Sequence, residues 1–137
     1  MALVLDTGPL LAYLDGHDRD HERCAPLFAR RGDFVLPTLV LGELDHHLHR
    51  MGRPEAMAIV AEDVRRGAYG LASLTQADFL RAAALERQYA DLGLGLVDAS
   101  VIALCERLGE TKVATLDHPH FSVVRPLHCE RLELLPE

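Results

Sequence analysis

The chain has 137 residues, 49% of them hydrophobic, and 21 Asp+Glu against 14 Lys+Arg give a formal net charge of −7. That size predicts one domain over 1–137. The balance excludes both a disordered chain and a module that grips nucleic acid by bulk positive charge. The longest uncharged run, Gly67–Ala77, is 11 residues, about half of what a membrane span needs, so no membrane association is expected. The apolar start is broken at Asp6, too early for a signal peptide. Three cysteines, Cys24, Cys105 and Cys129, form no CxxC pair, which suits a reducing cytoplasm. Aromatics are 5% with no Trp, a poor basis for stacking bases. Thirteen Arg against one Lys, and no Asn, read as a genomic or thermal bias more than as a phosphate-gripping design.

Ala2–Leu5 is a short apolar run of the kind that forms a buried parallel strand. Thr7-Gly8-Pro9 turns the chain, with Pro9 at the first position of a helix carrying Leu10, Leu11 and Leu14. A second helix carries Cys24, Leu27 and Phe28 and stops at Arg30-Arg31-Gly32. Phe34–Leu36 is a second strand, ended by Pro37. A helix over 38–51 follows, and Pro54 opens another that ends at Gly67. Tyr69–Leu74 predicts a third strand, and Thr75 caps a helix reaching about Tyr89, with Asp78 in its first turn. Asp91–Gly95 reads as a loop, Asp98 as the start of a helix through Leu108, Lys112–Leu116 as a fourth strand and Leu132–Leu135 as a last edge strand. Strands alternating with helices predict an α/β fold: a short parallel sheet of four to five strands with helices on both faces.

In such folds ligands bind beyond the carboxyl ends of the strands. Asp6 follows the first strand and Asp117 the fourth, while Asp98 begins the helix that leads into the fourth. Glu43 lies about two turns into the helix after the second strand, at the border of an apolar face made by Val40, Leu41, Leu44, Leu48 and Met51. Each Asp alone could be a helix cap or turn residue. Four carboxylates from four segments, however, are expected to meet at one sheet edge. Their mutual repulsion calls for a cation between them. Mg²⁺ prefers oxygen ligands, and Mn²⁺ is expected to substitute. Such a metal acidifies bound water and neutralises a phosphate, which is chemistry for hydrolysing phosphodiesters.

The segments Leu5-Asp6-Thr7-Gly8-Pro9, Val40-Leu41-Gly42-Glu43-Leu44, Leu96-Val97-Asp98-Ala99-Ser100 and Ala114-Thr115-Leu116-Asp117 together resemble the PIN-domain ribonucleases. They resemble in particular the VapC-type toxins of bacterial toxin–antitoxin pairs, and the resemblance covers nearly the whole chain. It implies the three-layer PIN-like fold, with Asp6, Glu43, Asp98 and Asp117 as catalytic metal ligands and Thr7 and Thr115 as hydroxyls that orient them. It also implies an RNA substrate cut to a 3′-hydroxyl and a 5′-phosphate, a homodimer, and a VapB-type antitoxin partner. One departure is His118-Pro119, where related sequences often carry basic residues. RNA is therefore expected to be held weakly at that edge, and only with metal present.

Other constellations give less. His17 and His21 are spaced i,i+4 ahead of Cys24, but the glutamate of a zinc-protease helix is missing. His46 and His49 fall on the outer side of their helix, whereas His47 lies nearer the apolar face beside Glu43, as a packed residue or a partner of the acid. No phosphate-binding GxxxxGK[ST] loop occurs. The alternatives to a toxin ribonuclease are an RNA-processing PIN nuclease and a non-catalytic PIN-like scaffold whose acids only cap helices.

Overall fold

A computed structural model describes residues 2–30 and 32–137. The order of elements is β1 (Leu3–Leu5), α1 (Thr7–Leu14), α2 (His21–Ala29), β2 (Phe34–Pro37), α3 (Thr38–Arg50), α4 (Met57–Arg65), β3 (Tyr69–Ala72), α5 (Gln76–Gln88), α6 (Leu96–Leu108), β4 (Lys112–Ala114), α7 (His118–Phe121) and β5 (Glu133–Leu135). Single 3₁₀ turns at Pro54–Ala56 and Ala90–Leu92 precede α4 and α6. Arg31, assigned from sequence to the end of the second helix, lies outside the described residues.

The five strands form one parallel sheet in the order β3-β2-β1-β4-β5, and helices cover both of its faces as a three-layer α/β fold. Leu3, Val4 and Leu5 of the central strand are fully buried, as expected of a strand covered on both sides. In register, Leu3 pairs with Phe34 on one side and with Lys112 on the other. The core around them takes Leu36, Val40, Leu44, Ile102, Val113 and Phe121. Among the described residues no helix is long and apolar enough to cross a membrane.

The structure corrects several boundaries. α1 begins at Thr7, not Pro9, and α6 begins at Leu96, so Asp98 is its third residue rather than its cap. β3 stops at Ala72 and β4 at Ala114, because the chain turns into the sheet edge before its apolar run ends. Asp91 and Leu92 of the expected loop belong to a 3₁₀ turn, and the short α7 was not foreseen. Thr75 does cap α5, in a reciprocal capping box with Asp78.

Candidate functional site

The carboxyl edge of the sheet opens into a cleft of about 560 Å³ lined by Asp6, Glu43, Asp98 and Asp117 together with Thr7 and His47. Strand geometry supplies two of the acids. Asp6 follows β1 directly, and its amide still donates to the Ala114 carbonyl at 2.9 Å, so the ladder continues one residue past the strand. Thr115 follows β4 in the same way, its amide donating to Leu135 O at 2.8 Å. Its hydroxyl therefore meets Asp6 directly, donating to Oδ2 at 2.8 Å, and accepts the Asp117 amide at 3.0 Å. Gly8 lets the start of α1 come close to the segment after β4, since a Cβ there would lie 3.3 Å from the side chain of Leu116.

Asp6 is 5% exposed. Its Oδ1 is buried with no hydrogen-bond partner, and so is the Thr7 hydroxyl in the same cleft. Asp6 stands at the N-cap position of α1 without capping it, and no side chain caps α6. The cap reading therefore fails for Asp6 and for Asp98. Asp117 does cap α7, accepting the His120 amide at 3.3 Å.

Crowded, poorly solvated carboxylates hold their protons more tightly. Burial, with the nearby charges of Glu43 and Asp117, pushes Asp6 up to about 6 even though Thr115 and the Thr7 amide pull it down. Burial, the charge of Asp6 and the closeness of Asp117 push Asp98 up to about 8. Asp117 is held below the usual carboxylate range, against its own partial burial, by Asp98 and by His120.

The sequence offers His120 only as half of the dense pair His118-x-His120. Its Nδ1 donates to Asp117 Oδ2 at 2.6 Å and its Nε2 to the Leu92 carbonyl at 2.9 Å. One ligand-capable atom each of Asp98, Asp117 and His120 fall within 4.8 Å of one another. Geometry nonetheless separates the ring from the acids. A ring that serves two acceptors carries two N–H groups and has no lone pair to give a metal. His120 is accordingly a cationic brace for Asp117, 3.6 Å from Asp98, and its pKa is raised by the Asp117 hydrogen bond.

The donor set suits a hard cation. It is all oxygen, it holds more negative charge than its surroundings neutralise, and it includes a buried carboxylate oxygen with nothing bound to it.

Residues 3–125 match the PIN domain family. The chain is 30% identical over 135 residues to Ribonuclease VapC26 of Mycobacterium tuberculosis, covering 98% of this chain and all of that protein. Among solved structures it is similar to M. tuberculosis VapC20, described as a sarcin-ricin loop cleaving toxin, with a TM-score of 0.76 at 20% identity over 85% of this chain and 90% of that one. It is also similar to VapBC2 from Rickettsia felis, solved bound to a DNA fragment from its promoter, with a TM-score of 0.69 at 15% identity over 98% and 97% of the two chains.

Proposed function

This chain belongs to the PIN-domain family, among its VapC-type ribonuclease toxins, and we propose that it is a Mg²⁺-dependent endoribonuclease whose metal is held by Asp6, Asp98, Asp117 and Glu43. The observation that carries this reading is the bare, buried Oδ1 of Asp6, in a cleft whose three other acids have no arginine among them. A buried carboxylate without a counter-charge is costly. A cation at that oxygen removes the cost and lets Asp98 give up its proton. When bound, Mg²⁺ would supply positive charge against the phosphate and acidify the attacking water.

The protein's own residues set the stage. Thr115 fixes one Asp6 oxygen so that the other faces the cleft. His120 anchors Asp117 from behind, leaving that acid ionised. Glu43 faces the same space from α3 and is the fourth carboxylate of the set. We take residues 1–137 as a single domain that cuts RNA to a 3′-hydroxyl and a 5′-phosphate. A homodimer blocked by a VapB-type antitoxin is the assembly that fits its toxin relatives.

Calorimetric titration of Mn²⁺, alongside cleavage of total RNA in Mg²⁺, tests the reading. Saturable Mn²⁺ binding that Asp6→Asn abolishes, with cleavage lost in the same variant, is the expected result. A folded wild-type protein that takes up no Mn²⁺ at millimolar concentration would overturn it in favour of a non-catalytic scaffold.

A further inference from the structure

A phosphodiester entering this cleft meets four acids, and besides the Thr7 hydroxyl only one lining side chain, His47, can donate a hydrogen bond to it. Apart from the carboxylates, the lining consists of Thr7, small or apolar residues, and His47. None of the described arginines lines it. The other histidines are mostly committed elsewhere. The rings of His21, His118, His120 and His128 are tied to the main-chain carbonyls of Ala12, Thr115, Leu92 and Glu110. His49 faces Asp45 at 3.5 Å. His47 shares none of these anchors. It is half-buried, meets the ring of His46 edge to face, and stands one helical turn after Glu43 on the same side of α3.

We propose that His47 is the residue that grips the RNA phosphate, donating an imidazole N–H to a non-bridging oxygen while the acids hold the metal beside it. This rests on the ribonuclease reading above. It also answers the want of basic residues after Asp117: the donor comes from α3, across the cleft, instead of from the segment after β4. The sequence left His47 as a packed residue or a partner of Glu43, and the structure places it half-buried in the cleft lining. A hydrogen bond to an anionic group is among the stronger ones, so its loss should be visible in substrate affinity without any change in the metal site.

The test compares wild type, His47→Ala, His47→Gln and the neighbouring His46→Ala on a labelled random-sequence oligoribonucleotide in Mn²⁺, with Mn²⁺ affinity measured separately by calorimetry. His47→Ala should raise KM about tenfold or more with Mn²⁺ affinity unchanged. His47→Gln, which keeps a side-chain N–H, should recover much of the loss, and His46→Ala should match wild type. An unchanged KM in His47→Ala, with wild type active, overturns the role of His47 and leaves the ribonuclease reading standing. Loss of Mn²⁺ binding in His47→Ala overturns it as well, by making the ring part of the metal site. A wild-type protein that neither binds Mn²⁺ nor cuts RNA overturns both.

Discussion

The two ends of α6 treat acids in opposite ways. In its last turns, Glu106 receives a bidentate pair from Arg81 at 2.8 and 3.0 Å, and Arg107 reaches back to Asp78 on α5 at 2.8 Å. Both acids are partly desolvated, yet these partners hold Asp78 and Glu106 below the usual carboxylate range. In the first turn, Asp98 has the favourable end of the helix dipole but no arginine. Burial and the charge of Asp6 win there, and its pKa rises. The difference teaches where each acid's counter-charge comes from. At the α5–α6 seam it is built into the chain, and in the cleft it is left to come from outside.

That contrast can be broken by exchanging the losses. Asp98→Asn should cut RNA cleavage by more than about a hundredfold, since even the outer partners of metal ligands are worth ten- to a hundredfold. Its melting temperature without metal should hold or rise, because a neutral amide replaces a carboxyl that the metal-free fold must keep protonated. A large fall in Tm would instead make Asp98 a structural acid. Glu106→Ala should do the reverse. It strands Arg81 and the Leu127 amide, so chemical denaturation should show a loss of about 2 kcal/mol, with cleavage per folded molecule unchanged.

The pH dependence separates the same two regions. Asp6 at about 6 and Asp98 at about 8 keep their protons in the folded state after the unfolded chain has released them. The metal-free fold therefore binds more protons than the unfolded chain, and its stability falls as pH rises from about 4, until about 6 for Asp6 and about 8 for Asp98. The raised His120 acts in the same sense. Asp78 and Glu106, held low, contribute stability that is present above the carboxylate range and lost only on acidification. Between pH 6 and 8 the metal-free protein should lose about 2 kcal/mol, and saturating Mn²⁺ should remove the share of that slope that belongs to Asp6 and Asp98. Denaturation curves at several pH values, with and without Mn²⁺, check this; a slope that persists with the metal bound would place the titrating groups elsewhere. The smallest effect expected is that of Thr115→Val, which frees Asp6 Oδ2 without touching its charge. Mn²⁺ affinity should drop about tenfold, read by calorimetry.

Much of this was legible because strand ends are legible. An acid straight after a short apolar run, as at Asp6, has little choice but to stand at the sheet edge. The Thr75–Asp78 capping box could likewise be read from spacing alone. Asp98 was placed in the right helix but in the wrong role. Leu96 and Val97 are helical, which periodicity could not decide so close to two glycines. The strand order β3-β2-β1-β4-β5 was not legible, because alternation fixes parallel pairing without saying which neighbour each strand takes. Nor was the bracing of His120, which depends on a carbonyl 28 residues away. A dense histidine pair marked the place but gave no partner. His47 was ambiguous because a helical wheel places a side chain on a face without saying what lies opposite.

The strands beside the cleft are three residues long, and Asp6 and Thr115 are the rungs that follow. Sheet register is thereby a parameter of the chemistry. A slip of β4 by a single residue against β1 would bring Ala114 or Leu116 to the position of Thr115 and leave Asp6 without its hydroxyl. Alternation would at the same time exchange the side chains that β4 presents to the two helical layers. The apolar residues that lock β4 in place, such as Val113, thus also set the alignment of the carboxylates, and selection on the core is selection on the site.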